Sequence, residues 1–256
     1  MTKRIHVPTI VLLAAFLLFA GIAAAQSDPS VSAQGTSTGE GAAKAEGAKK
    51  SIRLKDATTI IEVNATDGDA GLQVFADGEP WKSMQFSRPG GKRLFNVNTK
   101  GRLKRLGLTE LFSESNEPEF KDLPLNEFKQ LFPEGTYTYS GKTVEGDRLV
   151  GEARLSHDTP PGPEITSPAA GVTVPEDNVV AQWAPVPAPG IDVVGYRVIV
   201  ERENPLRVFN ADLPASQTSV TIPSEYLEPA TEYKLEVQTI EASGNQTISE
   251  ITFRTG

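Results

Sequence analysis

From Ser51 onward the chain alternates between short apolar runs and clusters of turn-forming residues. Ile60, Ile61 and Val63 lie in a β-prone run that stops at Asp67-Gly68-Asp69. Leu72, Val74 and Phe75 follow and end at Asp77-Gly78. Trp81, Met84 and Phe86 make a third run before Pro89-Gly90-Gly91, and Leu94, Phe95 and Val97 make a fourth. Short runs of this composition, each closed by Gly, Asp or Pro, predict antiparallel strands.

The period of two is lost between Leu106 and Phe132. Leu125, Phe128, Leu131 and Phe132 fall at i, i+3, i+6 and i+7, one face of a short helix. Asp122 precedes it as a cap and Pro133 ends it. Leu108 to Ser115 is expected to be a second short helix. Alternation returns in Gly135 to Lys142 and in Arg148 to Ser156, with Glu145-Gly146-Asp147 as the turn between them. Residues 51–157 are therefore expected to form a β-sandwich-like domain with a short helical insertion, the alternative being a β-barrel with a helical cap. No repeat with a period of 20 to 50 residues is visible. The stretch His157 to Pro163 (HDTPPGP) contains three prolines. Its residues 158–163 are expected to act as a semi-rigid joint.

The alternation is clearer in residues 164–256. Val179, Ala181 and Trp183 point one way, as do Tyr196, Val198 and Val200 on a later run. Val220 and Ile222, then Tyr233, Leu235 and Val237, then Ile251 and Phe253 complete a set that would fill the space between two sheets. This segment resembles the fibronectin type III family, which has an immunoglobulin-like β-sandwich. Trp183 stands where the family has its second-strand tryptophan and Tyr196 where it has its third-strand tyrosine. Leu227-Glu228-Pro229-Ala230-Thr231-Glu232-Tyr233 matches the L-x-P-x-T-x-Y corner, which implies that the Tyr233 hydroxyl bonds back to the backbone. Gly244-Asn245 falls at the turn between the sixth and seventh strands. Such domains bind, space or present, and in exported bacterial proteins they accompany polysaccharide-handling or adhesive modules. The family does not fix a ligand. No Arg-Gly-Asp triplet occurs, so integrin-type recognition is not implied. The preceding domain is similar to a segment that recurs ahead of such domains in exported bacterial proteins.

The N-terminus changes the picture of where the chain works. Lys3, Arg4 and His6 make a basic start, Thr9 to Ala20 is apolar, and Ala23-Ala24-Ala25 supplies small residues before Gln26. This is the build of a secretory signal peptide, residues 1–25, cleaved after Ala25. The apolar stretch is shorter than the roughly 20 residues that a spanning helix needs. The expectation is a secreted, periplasmic or cell-envelope protein with no transmembrane segment after signal removal. Residues 26–50 are rich in Ser, Gly, Ala and Thr, with no aromatic residue, and are expected to be a disordered linker.

Composition removes several chemistries. The chain has no Cys, which excludes disulfides, thiol nucleophiles, Cys-ligated metals and a lipid anchor on cysteine. It has two His, of which His6 belongs to the leader, so His157 alone remains for a zinc pair or a Ser/His/Asp triad. The formal charge is −8. Residues 51–163 carry 15 basic and 17 acidic side chains, and residues 164–256 carry 5 and 13, so the negative charge lies mostly in the second half. A nucleic-acid partner is not expected, because phosphate binding needs the opposite sign.

Four groups of residues could carry function. Asp67 and Asp69 could begin a calcium loop, with Asn64 and Asp77 nearby, although Asp-Gly-Asp is also ordinary turn chemistry. Lys92, Arg93, Lys100, Arg102, Lys104 and Arg105 fall within 14 residues that contain no acid. They could bind an anionic polymer, or merely guard a strand edge with charge. Trp81 with Phe86, or Tyr137 with Tyr139, could stack on sugar rings or belong to the core. Glu110, Glu114, Glu117 and Glu119 could supply a carboxylate pair for glycoside hydrolysis. Asn64-Ala65-Thr66 and Asn245-Gln246-Thr247 have the form of glycosylation sequons. No cofactor is expected. The leading reading is a non-catalytic, exported binding or adhesive protein for an envelope or extracellular polysaccharide. The alternative is an accessory structural protein that binds another protein through the C-terminal domain, and the third is a carboxylate-based carbohydrate enzyme.

Overall fold

The computed structural model describes residues 49–256. The signal-peptide expectation and almost all of the expected linker lie outside the described residues.

The first lobe runs β1 (Ser51–Arg53), β2 (Asp56–Asn64), β3 (Asp69–Ser87), β4 (Arg93–Asn98), α1 (Leu103–Leu106), β5 (Leu108–Glu114), α2 (Leu125–Leu131), β6 (Gly135–Thr143) and β7 (Arg148–Leu155). The second runs β8 (Ile165–Ser167), β9 (Thr173–Val174), β10 (Val180–Trp183), β11 (Val193–Arg202), β12 (Arg207–Pro214), β13 (Ser219–Thr221), β14 (Glu232–Glu241) and β15 (Gln246–Thr255).

The spine of the first lobe is β3, 19 residues long. Its first half pairs with β2 and β5 and its second half with β6 and β4, all antiparallel. The sequence divides this strand in two at Asp77-Gly78, but the glycine serves close packing there and not a turn. A Cβ on Gly78 would lie 2.7 Å from Leu54 Cδ2. The pairing register shifts between Asp77 and Trp81, so the ladder changes partner without the strand ending. The same spine explains why Leu108 to Ser115 is not helical. Its residues pair with β3 from Leu108↔Trp81 to Glu114↔Gln73, so pairing with the long central strand overrides a short helical period. The helix expected from Leu125 forms, with Phe128 buried on its inner face.

One face of β2 and β3 (Ile61, Val63, Ala70, Leu72, Val74, Ala76) packs with Trp81, Met84, Phe86, Tyr137, Tyr139 and Leu149 into the first core. Trp81, Phe86 and Tyr137 are fully enclosed and Tyr139 is 1% exposed, so none of the four is available as a sugar-stacking platform. The Tyr139 hydroxyl lies 2.8 Å from Thr59 Oγ1 and donates to the Thr58 carbonyl at 2.5 Å, tying β6 to β2.

The second lobe is a sandwich of β8, β10 and β13 against β12, β11, β14 and β15. The alternating residues meet between the sheets: Trp183, Tyr196, Val198, Val200, Tyr233, Leu235, Val237 and Phe253 are all buried in its core. Trp183 and Tyr196 meet edge to face with centroids 5.2 Å apart.

The lobes share a sheet. β2 pairs parallel with β15 (Glu62↔Gln246, Val63↔Thr247, Asn64↔Ile248), so the strand order runs unbroken from β1 to β12. The Pro-rich segment does not stand clear as a spacer. The Pro160 carbonyl accepts from Thr247 Oγ1, and Gly162 packs so closely that a Cβ would lie 2.7 Å from Ser249 Oγ and 2.9 Å from Ala65 Cβ. Asn245 completes the seam. Its Oδ1 accepts the Ile61 N–H at 2.8 Å, and its Nδ2 donates to the carbonyls of Ser156 (3.1 Å) and Asp158 (2.9 Å). Fully enclosed, Asn245 cannot serve as a glycan acceptor while the protein is folded.

Candidate functional site

The six basic side chains of the acid-free stretch are exposed, and none makes an ion pair among the described residues. They do not form one compact patch. Lys92 and Arg93 stand at the start of β4, whereas Lys100, Arg102, Lys104 and Arg105 follow its end and enter α1. The strand between them covers roughly 17 Å at the usual rise per residue. Phe95 and Val97 turn inward to pack on the first core, and Asn96 and Asn98 face out.

Those two asparagines line a groove of about 410 Å³ on the outer face of the β7–β6–β3–β4 sheet. Strand register explains the lining, because residues directly opposite on neighbouring strands share a face. One row crosses the sheet as Arg148–Lys142–Ser83–Asn98, and the next contains Ser140–Gln85–Asn96. Lys49, just ahead of β1, adds a third cation at the β7 edge. Neither an acidic nor an aromatic side chain lines the groove. Its floor depends on Gly141, where a Cβ would lie 2.4 Å from the Ser83 carbonyl oxygen. None of the groove's polar residues was among the binding candidates read from sequence, which flank it at Lys92 and Arg93 and from Lys100 to Arg105. The outward alternation of Asn96 and Asn98 was the available signal.

The acidic candidates divide. Glu114 and Glu117 converge with Glu62, their oxygens within 4.8 Å of one another. Glu110 is on the same strand as Glu114, opposite Asp77, and Glu119 pairs with Lys121. Glu62 was hidden in the apolar run of β2. It is buried and accepts from Gln246 Nε2 across the lobe seam. Gly71, opposite Glu62, leaves the space that Glu117 fills, since a Cβ there would lie 3.0 Å from Glu117 Cγ. Burial first, then the Glu114 charge, pushes the Glu62 carboxyl up to about 8. Burial followed by Glu114 and Asp69 raises Glu117 to about 7. At neutral pH the cluster therefore holds protons, an arrangement that relieves like-charge repulsion. Three carboxylate residues alone fall short of the six to eight oxygens that calcium takes.

Asp67 and Asp69 bound a tight turn. Asn64 Oδ1 accepts the backbone N–H groups of Thr66 (2.9 Å) and Asp67 (3.1 Å), and Asn64 Nδ2 donates to Asp67 Oδ2 at 3.3 Å. That is the side-chain bonding pattern of an Asx turn. Burial, then Asp67 and Glu119, lift Asp69 to about 6. His157 is engaged structurally. Its Nε2 lies 2.8 Å from the Phe132 carbonyl oxygen, and its backbone N–H donates to Glu134 at 2.7 Å.

In the second lobe the Tyr233 hydroxyl accepts the Glu228 N–H at 2.8 Å, the corner that the L-x-P-x-T-x-Y motif implies. Tyr196 similarly accepts the Val186 N–H at 3.1 Å. Among the described residues no helix is long and apolar enough to cross a membrane.

No curated protein matches the chain in sequence. Among solved structures, a two-domain fibronectin type III segment of chicken tenascin is 12% identical. That match covers 78% of this chain and 96% of the other, with a TM-score of 0.28. The fibronectin type III domain of the human collagen alpha-1(XX) chain is 23% identical over 40% of this chain and 90% of its own, with a TM-score of 0.30. A structure described as a myokine is 22% identical over 37% of this chain and 96% of its own, with a TM-score of 0.29. The model of the fibronectin type III domain matches residues 166–255. With its three-on-four sheet sandwich and its tyrosine corner, that segment is a fibronectin type III domain.

Proposed function

We propose that this protein is an exported, non-catalytic binding protein whose first lobe takes an anionic polymer of the envelope or extracellular space, while the type III domain spaces or presents it. The observation that carries the reading is the set of six exposed cations with no acidic partner among the described residues, bracketing β4. Cations already neutralised by neighbouring carboxylates would offer little to a polyanion, and these are not. The parallel pairing of β2 with β15 joins the two lobes in one sheet, which suits a presenting role. Export rests on the basic, apolar and small-residue sequence of the first 25 positions.

The test is cosedimentation of the purified protein with insoluble cell-wall and polysaccharide preparations at low and high salt. The bound fraction should fall with salt, and fall again when Lys100, Arg102, Lys104 and Arg105 become Ala. Absence of binding to every preparation would overturn the polymer reading. Export is checked separately by N-terminal sequencing of the extracytoplasmic protein, which should begin at Gln26.

A second reading is favoured by β12, the outer strand of the large sheet. Val208 on it and Leu206 just ahead of it are exposed. An edge of this kind can pair with a strand of another protein. Capture of a partner from an envelope extract that is lost with Leu206→Lys/Val208→Lys would support it.

A further inference from the structure

We infer that the groove over β7, β6, β3 and β4 is the subsite for an acidic saccharide chain, whose sugar hydroxyls meet the amides while its acid groups meet the cations. The inference rests on the polymer reading above and adds both the place and the ligand class.

The groove is chemically divided across the strands. Arg148, Lys142 and Lys49 stand at one side, the amides of Asn96 and Asn98 on β4 at the other, with Ser140, Ser83 and the Gln85 amide between. From Arg148 to Asn98 is three inter-strand steps, about 14 Å. Past Asn98 the chain continues directly to Lys100 and the cations of α1. A polymer crossing the strands thus meets cations and then a neutral hydrogen-bonding surface, with the cations of α1 beyond the end of β4.

Primary amides and hydroxyls each donate and accept, which matches sugar hydroxyls that do the same. Lysine and arginine bind carboxylate, sulfate or phosphate oxygens through charge-assisted hydrogen bonds. The absence of any lining carboxylate leaves these donors free for a ligand. The volume lies in the range of small-ligand sites (about 300–1,000 Å³), so a short stretch of a longer chain would occupy it. The lining also weighs against single-stranded nucleic acid. Proteins that hold such strands stack bases on aromatic side chains, whereas no aromatic side chain lines this groove and Trp81, Phe86, Tyr137 and Tyr139 of its strands are enclosed in the core.

The experiment titrates the purified full chain, at low salt, with fluorescent polygalacturonate, using neutral dextran, dextran sulfate and a single-stranded DNA oligonucleotide as competitors. Three variants are compared: Lys142→Gln/Arg148→Gln, Asn96→Ala/Asn98→Ala, and Lys104→Gln/Arg105→Gln. All six positions are exposed, and an unchanged circular dichroism spectrum confirms folding. The groove-cation variant should bind at least tenfold more weakly and the amide variant at least threefold. Polygalacturonate or dextran sulfate should compete and dextran should not. If the Lys104/Arg105 variant loses binding while both groove variants bind like wild type, the groove assignment is overturned and the polymer reading survives. If neither acidic polymer binds, both fall. If the oligonucleotide competes as well as the saccharides with the same groove dependence, the ligand class is overturned.

Discussion

Asn245 offers the sharpest perturbation of the shared sheet. Replacing it with Ala leaves the Ile61 N–H facing β15 with no acceptor, at a position that is wholly enclosed. An orphaned buried donor costs about 1–3 kcal/mol. The Ser156 and Asp158 carbonyls also lose donors at 3.1 and 2.9 Å, each worth about 0.5–1.5 kcal/mol net. The sum is a loss of about 2–6 kcal/mol. For a folded unit of this size that corresponds to a drop in Tm of about 4–24 °C. Urea denaturation followed by tryptophan fluorescence gives the free energy, since Trp81 and Trp183 report one lobe each. Hydrogen exchange at the Ile61 amide reports the seam directly. The variant should show the full loss and a markedly faster Ile61 amide. A loss below about 1 kcal/mol with the Ile61 amide still protected would show that Asn245 does not hold the seam. Separate transitions from the two tryptophans in the variant, against one in the wild type, would locate the loss at the joint.

Three further perturbations test other parts of the structure. The Glu62 carboxyl has its pKa raised from 4.5 to about 8, so the folded state holds its proton more tightly than the unfolded chain does. Its contribution is therefore fully present below pH 4.5 and is lost as pH rises toward 8, by at most about 5 kcal/mol at 1.36 kcal/mol per unit. Glu62→Gln, which stays neutral, should flatten the fall in stability across that window in a urea series at several pH values, and an unchanged slope would refute the assignment. Gly141→Ala forces a methyl against the Ser83 carbonyl and should destabilise by about 1–3 kcal/mol. Loss of the β6–β3 amide protection in hydrogen exchange would accompany it. Tyr233→Phe removes the acceptor of the Glu228 N–H and should cost about 1–2 kcal/mol in denaturation, with unchanged near-ultraviolet signal from Trp183.

Much of the architecture was written in local pattern. Alternation of apolar residues marks β2, β4, β6, β7 and the strands of the type III domain, because a half-buried strand must put every second side chain into a core. The spacing of Leu125, Phe128 and Leu131 marks α2 for the same reason at a helical period. The corner formed by Leu227 to Tyr233 and the places of Trp183 and Tyr196 were implied by the resemblance to the fibronectin type III family. The outward-facing cations could also be named, since lysine and arginine in an acid-free stretch are seldom buried.

Tertiary structure decided the rest, wherever partners come from far apart in the chain. β5 is a strand because β3 is long enough to pair on both edges, a fact that no window around Leu108 contains. Glu62 and Gln246 meet 184 positions apart, and Glu114 and Glu117 join them only because Gly71 leaves room. The groove arises from register. Lys142, Ser83 and Asn98 come from three different strands, and only the hydrogen-bonded ladders place them in one row. The sequence by itself determined which side chains face in and which face out, since that follows from period and polarity. Which outward-facing groups stand beside one another was decided by strand pairing alone, because hydrogen-bonded backbones set neighbours without regard to distance along the chain.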